Sequence, residues 1–191
     1  MGSTNVDPRD LVLAIVAFNK EGTVEGRTYL QKLAYFLNEK LELGVEFEPH
    51  YYGPYSDPIA MATNTMVALG FLDEKDERFP AGPTDIFEPR RYTYQLTPAG
   101  HTILAELKSW DRTLFANIKE AMEAITAKEE CNYEFLSRAA KMFHLLKSQD
   151  KPMKGSELSG AAKDLGWKLS KEDIDRAAQF LGELRLIKEL T

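Results

Sequence analysis

Apolar residues recur at steps of three and four through most of this chain, a helical rhythm that only short stretches interrupt. The segment "DPRDLVLAIVAFNKEG" (7–22) predicts a helix with Pro8 at its first position and Gly22 past its end. A second helix follows at 26–44, striped by Leu30, Leu33, Ala34, Leu37 and Leu41 and begun by either Gly26 or Thr28. "VEFEPHYY" (45–52) is short and aromatic, which suits a strand. Gly53-Pro54 signals a turn, and Ser56 or Asp57 caps a third helix with Pro58 preset for its first position. Gly70 ends that helix and Phe71-Leu72 open a strand. After a charged, proline-rich loop, "RYTYQLTP" (91–98) alternates, with Tyr92, Tyr94 and Leu96 on one face.

From Thr97-Pro98 the pattern predicts one helix to about residue 130, with Ile103, Leu107, Trp110, Leu114, Ile118, Met122 and Ile125 along one face. At about 1.5 Å per residue it would reach roughly 45 Å, and its stripe calls for a partner helix. The final third repeats the first in outline. It holds a helix at 133–151, a short one at 155–166 capped by Ser156, and a third at 171–190 running into a strand. Ser170 and Asp173 form an acidic variant of the capping box. Helix, helix, short strand, helix and hairpin is the order of a winged helix. The expected fold is mainly α with a small β hairpin. A winged helix-turn-helix domain over 1–97 and a second, winged-helix-like one over 131–191 are joined by a long dimerisation helix over 98–130.

The segment "FEPHYYGPYSDPIA" (47–60) packs prolines, a glycine and tyrosines into fourteen positions, and it reads first as architecture. Gly53 and Pro54 turn the chain into the third helix, and the tyrosines are expected to pack beneath it.

Composition narrows the function. The chain has 191 residues and a net charge of −6. Residues 1–100 carry all of it, with 9 Lys/Arg against 15 Asp/Glu, and residues 101–191 are balanced at 15 each. Neither half has the basic excess that phosphate binding favours. The lone cysteine, Cys131, excludes an intrachain disulfide and reads as an inert thiol. His50, His101 and His144 lack metal-ligand spacing, and there is no glycine-rich phosphate loop or nucleophile elbow. No enzyme, metal or cofactor is expected. No apolar run approaches the roughly 20 residues of a membrane span, and no secretory signal opens the chain, so a cytoplasmic protein is expected.

"GRTYLQKLAYFL", "FEPHYYGPYSDPI", "LGFL" and "YQLTPAG", in this order, resemble the YwgA-like winged-helix proteins and the related Panacea, or SocA-like, domain over about residues 10–100. The resemblance implies first a non-enzymatic, DNA-binding transcription regulator and, as the alternative in the Panacea manner, an antitoxin or adaptor that binds a protein and not DNA. The faces bear on that choice. On the third helix Ile59, Ala62, Met66 and Leu69 face inward, and Ala60, Met61, Asn64, Thr65 and Ala68 form an uncharged outer face suited to a protein partner. On the last helix Ile174, Ala177, Ala178, Leu181 and Leu184 face inward. Lys168, Lys171, Arg176 and Gln179 are the candidate DNA contacts there, diluted by Glu172, Asp175 and Glu183. Arg90 and Arg91 at the wing, with Arg27 and Lys32 on the second helix, could reach phosphates. DNA, a protein partner and a second copy of the chain are the expected partners.

Overall fold

The computed structural model describes residues 5–78, 90–127, 131–148, 153 and 155–187, the side chains at 155 and 156 excepted. Helix α1 spans Pro8–Phe18, with the Asp7 side chain accepting from the Arg9 amide at its start. A short turn leads to strand β1, Thr23–Glu25, then helix α2, Arg27–Leu41, and helix α3, Asp57–Ala68. Strands β2 (Leu72–Arg78) and β3 (Arg90–Leu96) follow, then helices α4 (Pro98–Trp110) and α5 (Arg112–Thr126). Helices α6 (Tyr133–Lys147), α7 (Gly155–Asp164) and α8 (Lys171–Glu183) complete the order. The fold is mainly helical with one three-stranded antiparallel sheet, ordered β1-β3-β2.

The hairpin register pairs Leu72 with Leu96 and Glu74 with Tyr94, so the alternating residues of β3 keep one face on the core. Tyr94 is fully buried, with Tyr92 and Leu96 packed beside it. Strand β1 pairs its Val24 with Tyr94 on the other edge of β3. Three residues between two helical patterns give no alternation to read, so the periodicity leaves β1 invisible. The strand expected at 45–52 is instead irregular, holding only the bridge between Glu48 and Tyr55.

The single helix expected over 98–130 is two. Asp111 leaves helical geometry at φ −132°, ψ 77°, and its carboxylate accepts from the Leu114 amide, capping α5 as α4 ends. The break swings Trp110 out of the stripe, where it is 78% exposed. On α5, Phe115, Ile118, Met122 and Ile125 are buried against α1 and α2. The ground for expecting a dimer, one long apolar stripe with nothing to cover it, is therefore gone.

Nor does the last third stand apart. Helix α6 lies on α2, and Tyr35 of α2 meets Phe143 of α6 edge-on. Phe36 of α2 meets Phe180 of α8 in the same way. The Lys40 ammonium donates to the Leu184 carbonyl, and Lys147 donates to Glu39 at 2.6 Å. One buried apolar cluster runs from Val6 to Leu184. The capping box of Ser170 and Asp173 forms as expected. Helix α8 stops at Glu183, where Arg185 at φ 59° turns the chain, and no strand follows among the described residues. The Ser156 cap lies outside the described side chains.

Candidate functional site

Two side chains of α2 reach into the turn before α3. Gln31, 4% exposed, donates its amide to the Ser56 carbonyl and accepts from the Ser56 amide, both at 2.9 Å. Lys32, 1% exposed, donates to the Pro54 carbonyl at 2.6 Å. "LQKLAYF" and "YGPYS" are thus two halves of one structural unit, in which side chains of α2 add to the Glu48–Tyr55 backbone bridge in holding the turn. Ser56 in turn caps α3 by accepting from the Ile59 amide. Gly53 sits at φ +93°, and a Cβ there would lie 3.1 Å from Lys141 Cγ and 3.3 Å from the Ser137 carbonyl. The last third closes the unit from outside: Trp167, in the turn between α7 and α8, donates its indole N–H to the His50 carbonyl at 2.9 Å.

Burial penalises charge on Lys32, and Lys141 across on α6 repels it, so its ammonium is pushed down to about 7. At 1% exposure, Lys32 lies beneath the surface that a phosphate backbone could touch. Beside it, a cavity of about 170 Å³ opens between α2, α3 and the 47–56 segment. Arg27, Gln31, Lys32, His50, Tyr52 and Asn64 are among its walls.

The tyrosines of the turn correct the sequence reading. Tyr51 and Tyr52 are 70% and 52% exposed and pack edge-on to each other, with Lys141 near the Tyr51 ring. Only Tyr55 is drawn partly inward, beside His50. At the N-terminus of α2, Arg27 stacks 3.9 Å from the Tyr92 ring centre. It also donates to the Tyr94 hydroxyl and the Glu74 carboxylate, and Tyr94 donates to that carboxylate at 2.6 Å. Nothing in the spacing of 27, 74 and 94 foretells this cluster.

The outer face of α3 stands as the periodicity placed it. Met61, Asn64, Thr65 and Ala68 are exposed and Ala60 is half-buried, while Ile59, Ala62 and Met66 are buried. Leu69, expected inward, is 58% exposed, because the helix ends there and Gly70 turns the chain away. The inward residues of α8 are also as expected, except that Ala178 is half-buried and Phe180 joins them.

The candidate DNA contacts fall on two elements, strand β3 of the hairpin and helix α8 with its entrance. Arg90 pairs with Asp76 at 3.8 Å and Arg91 with Glu25 at 3.7 Å, both on the hairpin side. Lys168 and Lys171 are exposed at the entrance to α8. Arg176 lies over the Phe135 ring, and Gln179 donates to Glu183. Cys131 is buried, and His144 is half-buried edge-on to Trp167. No cluster of three or more His, Cys, Asp or Glu among the described residues could hold a metal, and no described helix is long and apolar enough to cross a membrane.

No family model matches the chain. It is 25% identical to the uncharacterized protein YwgA of Bacillus subtilis (strain 168) over 173 residues. The relationship is YwgA-like. It covers 89% of this chain and 93% of that protein, so it extends well past the first hundred residues on which the motifs lie.

Proposed function

We propose that this chain is a non-enzymatic, winged-helix module that binds another protein through the outer face of α3. The order α1-β1-α2-α3-β2-β3 with the sheet ordered β1-β3-β2 is consistent with a winged helix, in which the third helix is the presenting element. The observation that carries the reading is the chemistry of that face. Met61 is 69% and Leu69 58% exposed, small Ala60 and Ala68 lie near them, and Asn64 and Thr65 supply polar atoms without charge. None of these face residues carries a charge to meet a phosphate backbone, whereas a partner helix can approach small side chains closely and bury the two large ones. The antitoxin or adaptor role of the Panacea domains belongs to this reading, and the partner is either a foreign protein or a second copy of the chain.

The double substitution Ala60→Arg with Ala68→Arg tests it. Circular dichroism should stay native, while pull-down or size exclusion should show that the variant no longer associates with a protein. Undiminished protein association together with gained DNA affinity would overturn the reading.

A second reading, a DNA-binding transcription regulator, draws on the same element order. It would have to work through Lys168, Lys171 and Arg176 on α8, or through Arg90 and Arg91. Binding of that kind weakens steeply as salt rises, and a gel shift across a salt series, with the α8 triple alanine variant beside it, separates the two.

A further inference from the structure

Buried lysines are rare and expensive, and they are normally met by a carboxylate or by several acceptors. Lys32 is 1% exposed, yet among the described residues its ammonium has one acceptor, the Pro54 carbonyl, and no acidic partner. Two of its three donor positions are unmatched. The charge that faces it from α6 is Lys141, which makes matters worse. Lys32 also lines the cavity of about 170 Å³, whose walls are uneven in character. Arg27, Lys32 and His50 contribute cationic or cation-forming groups, and no carboxylate lines it among the described residues. Leu30, Tyr52, Tyr55 and Ala60 contribute apolar surface. On a chain whose first hundred residues are strongly acidic, a pocket with this lining is not a sample of the surroundings.

We infer that this pocket is a binding site for a small organic carboxylate with an apolar body, its carboxylate meeting the Lys32 ammonium and its body lying against Leu30, Tyr52 and Tyr55. The volume is small beside the roughly 300–1,000 Å³ of sites for drug-sized ligands, which limits the ligand to a compact acid. A bare inorganic oxyanion would leave the apolar walls unused. Arg27 is already held by Glu74 and Tyr94, so Lys32 is the primary partner. Ala60 and Asn64 belong both to this pocket and to the outer face of α3, so the two proposals are told apart by Lys32→Met, buried beneath that face, and Ala68→Arg, away from the pocket.

A carboxylate stabilises the charged amine, so above pH 7 each binding event draws one proton onto Lys32. Calorimetric titration of the full chain with propionate, benzoate and phenylacetate tests this, with benzamide and inorganic phosphate as controls. At least one of the three acids should bind saturably at pH 7, with affinity falling about tenfold from pH 8 to pH 9 as the proton must be taken up. Benzamide and phosphate should not compete. Lys32→Met should lose at least tenfold in affinity with an unchanged circular dichroism spectrum. Asn64→Trp, which crowds the pocket wall from an exposed position, should weaken binding too, and it keeps the test open if Lys32→Met does not fold. If none of the acids binds, or if the acids bind both variants as they bind the wild type, Lys32 only holds the turn and the inference is wrong.

Discussion

Gly100 leaves no room for a methyl group. A Cβ there would lie 2.1 Å from the Phe71 carbonyl oxygen, a backbone atom that cannot swing aside. The close approach is set by Thr97, whose hydroxyl donates to the Gly70 carbonyl and accepts from the Gly100 amide, pinning the start of α4 to the end of α3. Gly100→Ala should therefore destabilise the fold by about 3 kcal/mol or more, read from the urea midpoint. An effect below about 1 kcal/mol would mean that α4 can shift without consequence. Lys32 makes a second case at this scale. Its folded-state pKa of about 7 lies below the ordinary 10.5, so between those values the unfolded chain holds more protons and stability rises with pH. Below pH 7 both states are charged and the penalty is constant. Relative to Lys32→Met, the wild type should gain about 1 kcal/mol per pH unit between pH 8 and pH 10. A flat difference across that range would place the ammonium in contact with solvent. Neither residue announces itself in the sequence: a lysine in a helix stripe reads as surface, and its burial depends on where a distant turn comes to rest.

At the scale of elements, what was legible was what is encoded locally. The Ser56 and Thr97 caps, the capping box at Ser170 and the Tyr92-Tyr94-Leu96 face depend on neighbours within four residues, and all are present. The break at Asp111 is masked although its cap to the Leu114 amide is local, because Trp110 and Leu114 carry the apolar spacing across it and the packing of α5 on α1 and α2 lies outside the pattern. Tyr51 and Tyr52 misled for the related reason that aromatic composition carries no direction. The link between α2 and the turn gives a prediction here. Gln31 accepts from the Ser56 amide and is one of two donors to its carbonyl, the Ala60 amide being the other, so Gln31→Ala strands the buried Ser56 N–H while the carbonyl keeps its helix bond. The expected loss is about 1–3 kcal/mol, with α3 the first helix to lose hydrogen-exchange protection. Uniform loss across all helices would show that the turn is not a separable unit.

Across the whole molecule, the question is whether the last third is a passenger or part of one core. The repeat in the sequence suggests a second module, yet α6 and α8 meet α2 through Tyr35–Phe143 and Phe36–Phe180, and Trp167 reaches the His50 carbonyl. Removing the last third would bare Tyr35 and Phe36, both 1% exposed or less, which a stable first lobe could not leave in water. Folding should then be one cooperative event. The chain has two tryptophans, and Trp110 is largely exposed. In a Trp110→Phe variant, Trp167 alone reports the docking of the last third, while circular dichroism reports helix throughout the chain. Urea unfolding followed both ways should give coincident curves with a single midpoint. Were the Trp167 signal to disappear at lower urea while most helix persisted, the last third would be an independent lobe, as the repeat suggests. The contacts of α2 would then be a docking surface rather than a core.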